Sequence, residues 1–66
     1  MIRGTDMPLI EIDVSVVHLT KDAILFDNGK KEVWVPRSLI RDQCGEEEDI
    51  TSIFLTEWVA TNKGLI

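Results

Sequence analysis

The stretch that decides the fold is Ala23–Ile40, AILFDNGKKEVWVPRSLI. Two short apolar runs flank Asn28-Gly29, a dipeptide that accepts positive φ at both centres of a tight turn, so the stretch reads as a β-hairpin. Pro36 offers no N–H to a ladder and stops the second strand. A two-residue loop sets the expected register: Asp27 faces Lys30, Phe26 faces Lys31, Ile24 faces Val33 and Asp22 faces Val35. Ile24, Phe26, Val33 and Val35 then share one face, because side chains alternate along a strand. Ala23, Leu25 and Trp34 take the other face, with Asp27, Lys30 and Glu32 around them. A hairpin that is apolar on both faces has to sit between two layers.

Working toward the N-terminus, Lys21-Asp22 is a short turn, and what precedes it reads as one long strand. Ile10, Ile12, Val14 and Val16 alternate with Glu11, Asp13 and Ser15. Then the phase slips, with Val17 and Leu19 apolar and His18 and Thr20 polar. A bulge or sharp bend near Val16-Val17 would return the apolar side chains to the core, and such a bend lets one strand serve two sheets. Pro8 suits the strand start, where a missing N–H does little harm. Residues 1–7, MIRGTDM, lack periodicity and are expected to fray.

Working toward the C-terminus, Pro36-Arg37-Ser38 reads as a 3₁₀-like turn and Leu39 to Arg41 as a short strand. Asp42 to Asp49, DQCGEEED, reads as an acidic loop, and Ile50 to Leu55 as the last strand. Thr56 is a good N-cap and Glu57 suits the first helical turn. The helix is expected over about Glu57 to Lys63. Gly64 would take the left-handed C′ position, with Leu65 folding back. Leu55, Trp58, Val59 and Asn62 share a helical face, which makes Trp58 and Val59 the expected cover for the patch around Trp34. The whole chain is expected to be one domain, mostly β with a short C-terminal α-helix: a small five-stranded, strongly bent sheet, or an SH3-like or OB-type barrel.

Composition narrows the function classes. A chain of 66 residues buries only ~60% of the surface its unfolded form exposes, so it needs an efficient core or a partner. One cysteine excludes an internal disulfide, and Cys44 with His18 falls short of a four-ligand zinc site. Twelve acids against seven bases give a net charge of −5, which disfavours nucleic acid as the main partner and fits either solubility or a basic partner surface. A single thiol and the lack of a signal-like segment point to the cytoplasm, and no apolar run approaches the ~20 residues of a membrane span.

Two pieces of the chain carry a resemblance. Ala23-Ile24-Leu25 through Trp34-Val35-Pro36-Arg37-Ser38-Leu39-Ile40 is similar to a pattern A-I-L, a Gly turn, then W-x-P-[KR]-S-x-I. Ile50-Thr51 through Glu57-Trp58-Val59-Ala60 to Lys63-Gly64-Leu65-Ile66 is similar to I-T … E-W-x-A-x-x-K-G-L-I. Together they resemble small uncharacterised proteins encoded by phages and prophages. The likeness covers roughly two thirds of the chain and misses Met1 to about Val14. Thr56 stands where such proteins often have Pro, and the Cys44 to Asp49 loop has no counterpart. The resemblance implies a phage-type protein in a host cytoplasm. Small acidic phage proteins often bind a host protein, and inhibitors of CRISPR effectors, some resembling DNA in charge, are one such group.

The residues offer two candidate sites. Asp42, Glu46, Glu47, Glu48 and Asp49 hold five of the twelve acids. Duplex DNA carries about one charge per 1.7 Å, and an acidic loop of this density imitates it locally. The acidic loop and net charge point to a protein-interaction module, not an enzyme, that binds a basic protein surface. The resemblance to phage proteins implies that this partner is a host or phage protein and that binding inhibits a nucleic-acid-binding or defence machine. The plainer reading is a solvated connector that blocks edge pairing. The alternative site is a nucleic-acid face of Lys30, Lys31, Trp34 and Arg37, with Arg41 near, combining basic groups and a stacking aromatic. Trp34 and Trp58 are expected to pack together under the helix; exposed, they would be binding residues. His18 and Cys44 lack a third catalytic member, and neighbouring carboxylates disfavour a thiolate at Cys44. No cofactor or metal is expected. A homodimer through sheet edges is a third possibility, since association stabilises small domains.

Overall fold

The computed structural model describes residues 8–66; the fraying expected of residues 1–7 lies outside them. In chain order the elements are β1 (Leu9–Asp13), β2 (Ser15–Leu19), β3 (Ala23–Asp27), β4 (Glu32–Pro36), a 3₁₀ turn (Arg37–Leu39), β5 (Asp42–Cys44), a second 3₁₀ turn (Glu47–Asp49), β6 (Ser52–Thr56) and α1 (Glu57–Asn62). The strands form two three-stranded antiparallel sheets, ordered β1-β6-β5 and β2-β3-β4. The mostly-β architecture with a C-terminal helix is as expected. The five-stranded sheet or barrel is not: the described residues form six strands, and their two sheets do not close into a barrel.

The expected long strand is broken at Val14. β1 pairs with β6 in one sheet and β2 with β3 in the other, so a single run of chain does serve two sheets. Val14 at the break is buried, and its N–H donates to Thr51 O at 3.0 Å. The bulge falls where the phase slip predicts, between Val16 and His18. It returns Leu19 to the core side opposite Ile24 but leaves Val17, the extra residue, 45% exposed.

The hairpin forms with a different register. Phe26 pairs with Val33, Ile24 with Val35 and Asp27 with Glu32, two residues further along β4 than a two-residue loop allows. Local side-chain bonding accounts for the longer loop. Asn28 Oδ1 accepts from Lys30 N and Lys31 N, both at 2.9 Å, and Asp27 Oδ1 accepts from Gly29 N at 2.7 Å. Only Gly29 of the pair takes a positive φ, so the expected type I′ geometry is absent. A shift of two preserves the faces: Ile24, Phe26 and Val35 are buried, and Leu25 and Trp34 lie on the other side.

The strand expected at Leu39–Arg41 lies instead at Asp42–Cys44, inside the expected loop. Leu39 closes the 3₁₀ turn, and Arg41 N donates to Phe54 O at 2.9 Å as the chain enters β5. β6 is the central strand of its sheet and needs a partner on each edge, and this demand overrides the weak β-propensity of Asp-Gln-Cys.

The core lies between the sheets. Ile12, Ile24, Phe26, Val35, Ile53 and Leu55 form its centre, and Ile50, Val59, Ala60 and Leu65 extend it. α1 packs on β1 and β6. Thr56 Oγ1 caps it by accepting from Val59 N at 3.3 Å. At the other end Leu65 N donates to Ala60 O at 2.8 Å and Gly64 N to Thr61 O at 3.1 Å, a Schellman closure with Gly64 at φ +73°. The helix buries Val59 and Ala60, not Trp58, which is 65% exposed. The expected Trp34–Trp58 core under the helix is therefore absent: Trp34 is also 45% exposed.

Candidate functional site

Four of the five predicted acids belong to one well-built turn. Gly45 enters it at φ +92°, where an added Cβ would collide with the backbone of Asp49. Thr51 N donates to Cys44 O at 2.9 Å, closing the segment at its base. Within it, Asp49 N donates to Glu46 O at 2.9 Å and Ile50 N to Glu47 O at 3.2 Å. Ile50, 2% exposed, plugs the segment into the core. Glu46, Glu47, Glu48 and Asp49 are all exposed. Glu47 takes φ +50°, the left-handed region that a non-glycine residue enters at a cost. Its carboxylate accepts from Arg37 Nη1 at 2.9 Å. The acids are thus presented on a fixed scaffold, laid along β2, where Glu48 and Asp49 share a surface depression with Ser15 and Val16.

Asp42 stands apart from that turn. It lies on β5 opposite Phe54, and Phe54 lies opposite Glu11 on β1, so the three form one cross-strand row on the outer face of their sheet. Asp13 and Cys44 flank Ser52 in the next row. Glu11 Oε2 accepts from Ser52 Oγ at 3.0 Å. Glu11 and Asp13 are acidic-face residues that the sequence reading does not single out. Their alternation with Ile10 and Ile12 is the visible signal, but their placement beside Asp42 depends on both partners of β6.

The four residues of the alternative nucleic-acid face are not gathered. Arg37 is committed to Glu47 and to Thr20 O, which accepts from Nε at 3.0 Å. Lys30 and Lys31 line a groove with Glu11, Asp13, Leu65 and Ile66. Lys31 lies over Gly64, where an added Cβ would meet its Nζ. Trp34 sits on the outer face of β2-β3-β4, flanked by Asp27 and Glu32 in the adjacent row.

On that face His18, Leu25 and Trp34 form a cross-strand row. The rings of His18 and Trp34 meet edge to face, with centroids 6.0 Å apart. Trp58 lies elsewhere, in a shallow apolar depression with Pro8, Glu57, Thr61 and Asn62. Cys44 is a free, exposed thiol on the other sheet from His18. Among the described residues, no group of three or more His, Cys, Asp or Glu is placed to hold a metal ion, and no helix is long and apolar enough to cross a membrane.

In comparison with known proteins, the chain matches no protein-family model, no curated protein and no solved structure.

Proposed function

We propose that this protein is a small interaction module that docks on the basic surface of another protein through its acidic turn. The observation that carries this reading is the construction of the turn. A glycine that admits no side chain, a left-handed Glu47 and a buried Ile50 hold the backbone of four acidic residues in one shape, with their side chains exposed and that of Glu47 paired with Arg37. A mere solvated connector needs none of these devices, whereas a rigid charged surface loses less entropy on binding. The net charge of −5 extends the same field over the molecule. The specific form of the proposal is a phage-type inhibitor whose carboxylates take the place of phosphates in a nucleic-acid-binding protein, such as a defence effector of the host cytoplasm. Its support is the charge and the resemblance of the hairpin and C-terminal motifs to small phage proteins.

The experiment is capture from bacterial lysate by the tagged protein and by a variant with Glu46, Glu47 and Glu48 replaced by Gln and Asp49 by Asn. The reading expects nucleic-acid-binding proteins on the wild type, displaced by added duplex DNA and lost with the variant. Equal capture by both proteins contradicts it.

A further inference from the structure

The outer face of β2-β3-β4 is apolar at its centre and acidic along two margins. His18, Leu25 and Trp34 form the central row. Trp34 and the bulged Val17 are each 45% exposed. The row toward the hairpin loop is Ser15, Asp27 and Glu32. Along the β2 side runs the acidic turn Glu47–Asp49. The nearby counter-charges are Arg37, already on Glu47, Lys21, which shares its turn with Asp22, and Lys30 and Lys31 in the hairpin loop, which line the groove with Glu11, Asp13, Leu65 and Ile66.

We infer that this sheet face and the acidic turn form one docking surface, and that its occupant is a basic amphipathic segment of another protein. Apolar side chains of that segment seat on Val17, Leu25 and Trp34, and its Lys or Arg side chains reach Glu48, Asp49 and Glu32. The inference rests on the acidic-turn reading and adds an apolar anchor to it. Charge selects the occupant: nucleic acid would set phosphates against these carboxylates, and a second copy would bring a net charge of the same sign. Area selects its size. Three strands of five residues present a face of about 14 by 17 Å, on the order of 240 Å². A stable dimer needs about 800 Å² per partner. One helix or strand with a few apolar anchors fits the smaller figure, and an exposed tryptophan is the residue type that carries most energy in such contacts.

The test uses a synthetic amphipathic Leu/Lys helix as probe and oligolysine of equal charge as control. With Trp58→Phe, Trp34 is the remaining tryptophan, and its emission reports on the face directly. Calorimetry gives both affinities for the wild type, Trp34→Ala and the pair Glu48→Gln, Asp49→Asn, with circular dichroism confirming the fold of each. The inference predicts a blue shift of Trp34 emission with the Leu/Lys helix, and at least ~10-fold tighter binding of it than of oligolysine. Trp34→Ala removes that advantage, and the acidic pair weakens both peptides. Equal affinity for the two peptides, unaltered by Trp34→Ala, overturns the inference and leaves the acidic-turn reading standing. Binding of neither peptide removes both. A molecular mass that doubles with concentration, and no longer does so in Trp34→Ala, assigns the face to a second copy and also overturns the inference.

Discussion

Arg37 pins Glu47 to the sheet. Its Nη1 donates to the Glu47 carboxylate at 2.9 Å while its Nε donates to Thr20 O at 3.0 Å and its backbone N–H to Asp22 O at 2.9 Å. One side chain thus joins the end of β4, the β2–β3 turn and the acidic turn. The ion pair itself is half in solvent and contributes at most ~1 kcal/mol. Arg37→Lys keeps the charge but lacks the planar fork. It should cost about 1 kcal/mol in urea unfolding and speed amide exchange around Thr20 to Ala23. An unchanged midpoint and unchanged exchange contradict this role.

Gly45 and Glu47 take left-handed backbone for different reasons, and substitution should separate them. Gly45→Ala adds a Cβ that runs into the Asp49 backbone, with an expected loss of about 2 kcal/mol or more. Glu47→Gly relieves the left-handed residue at φ +50° and gives up a surface ion pair, so its net effect should stay within about 1 kcal/mol. Chemical denaturation of both variants checks the ranking. Equal losses contradict it.

The two classes of large side chain should lose very different amounts of stability on truncation. Phe26 is fully buried between the sheets, and Phe26→Ala should cost about 3–5 kcal/mol, enough to unfold a domain of this size. Trp58 is 65% exposed, and Trp58→Ala should cost about 0.5 kcal/mol or less. A large loss at Trp58 in thermal unfolding contradicts its placement outside the core.

Thr56→Ala removes the acceptor of the Val59 N–H and should cost about 1 kcal/mol. Thr56→Ser should retain most of that. The comparison by urea unfolding isolates the cap from the burial of the Thr56 methyl group.

How much of this was legible depends on how local the cause is. The cap at Thr56, the left-handed Gly64, the 3₁₀ turn after Pro36 and the bulge beside Val17 follow from neighbouring residues alone. The hairpin faces survive the wrong loop length because the error is two residues, and side-chain direction repeats every two. β5 is not legible, because Asp42-Gln43-Cys44 becomes a strand only to satisfy the free edge of β6. Nor is the exposure of Trp58. A helix of six residues can turn either Trp58 or Ala60 inward beside Val59, and the Schellman contact of Leu65 with Ala60 settles it. Of the candidate site, the exposed acids were visible as a run. The rigid scaffold beneath them, and the separation of Asp42 from it, required the fold.

The central claim is that the acidic turn, with the sheet face beside it, is the docking surface. Amide chemical shifts of the labelled protein, followed as the Leu/Lys helix is added, test it most directly. The account predicts shifts concentrated at Glu46 to Asp49 and at Val17, His18, Leu25 and Trp34. Shifts concentrated instead around Lys30, Lys31, Glu11 and Asp13, or spread evenly over the surface, would contradict it.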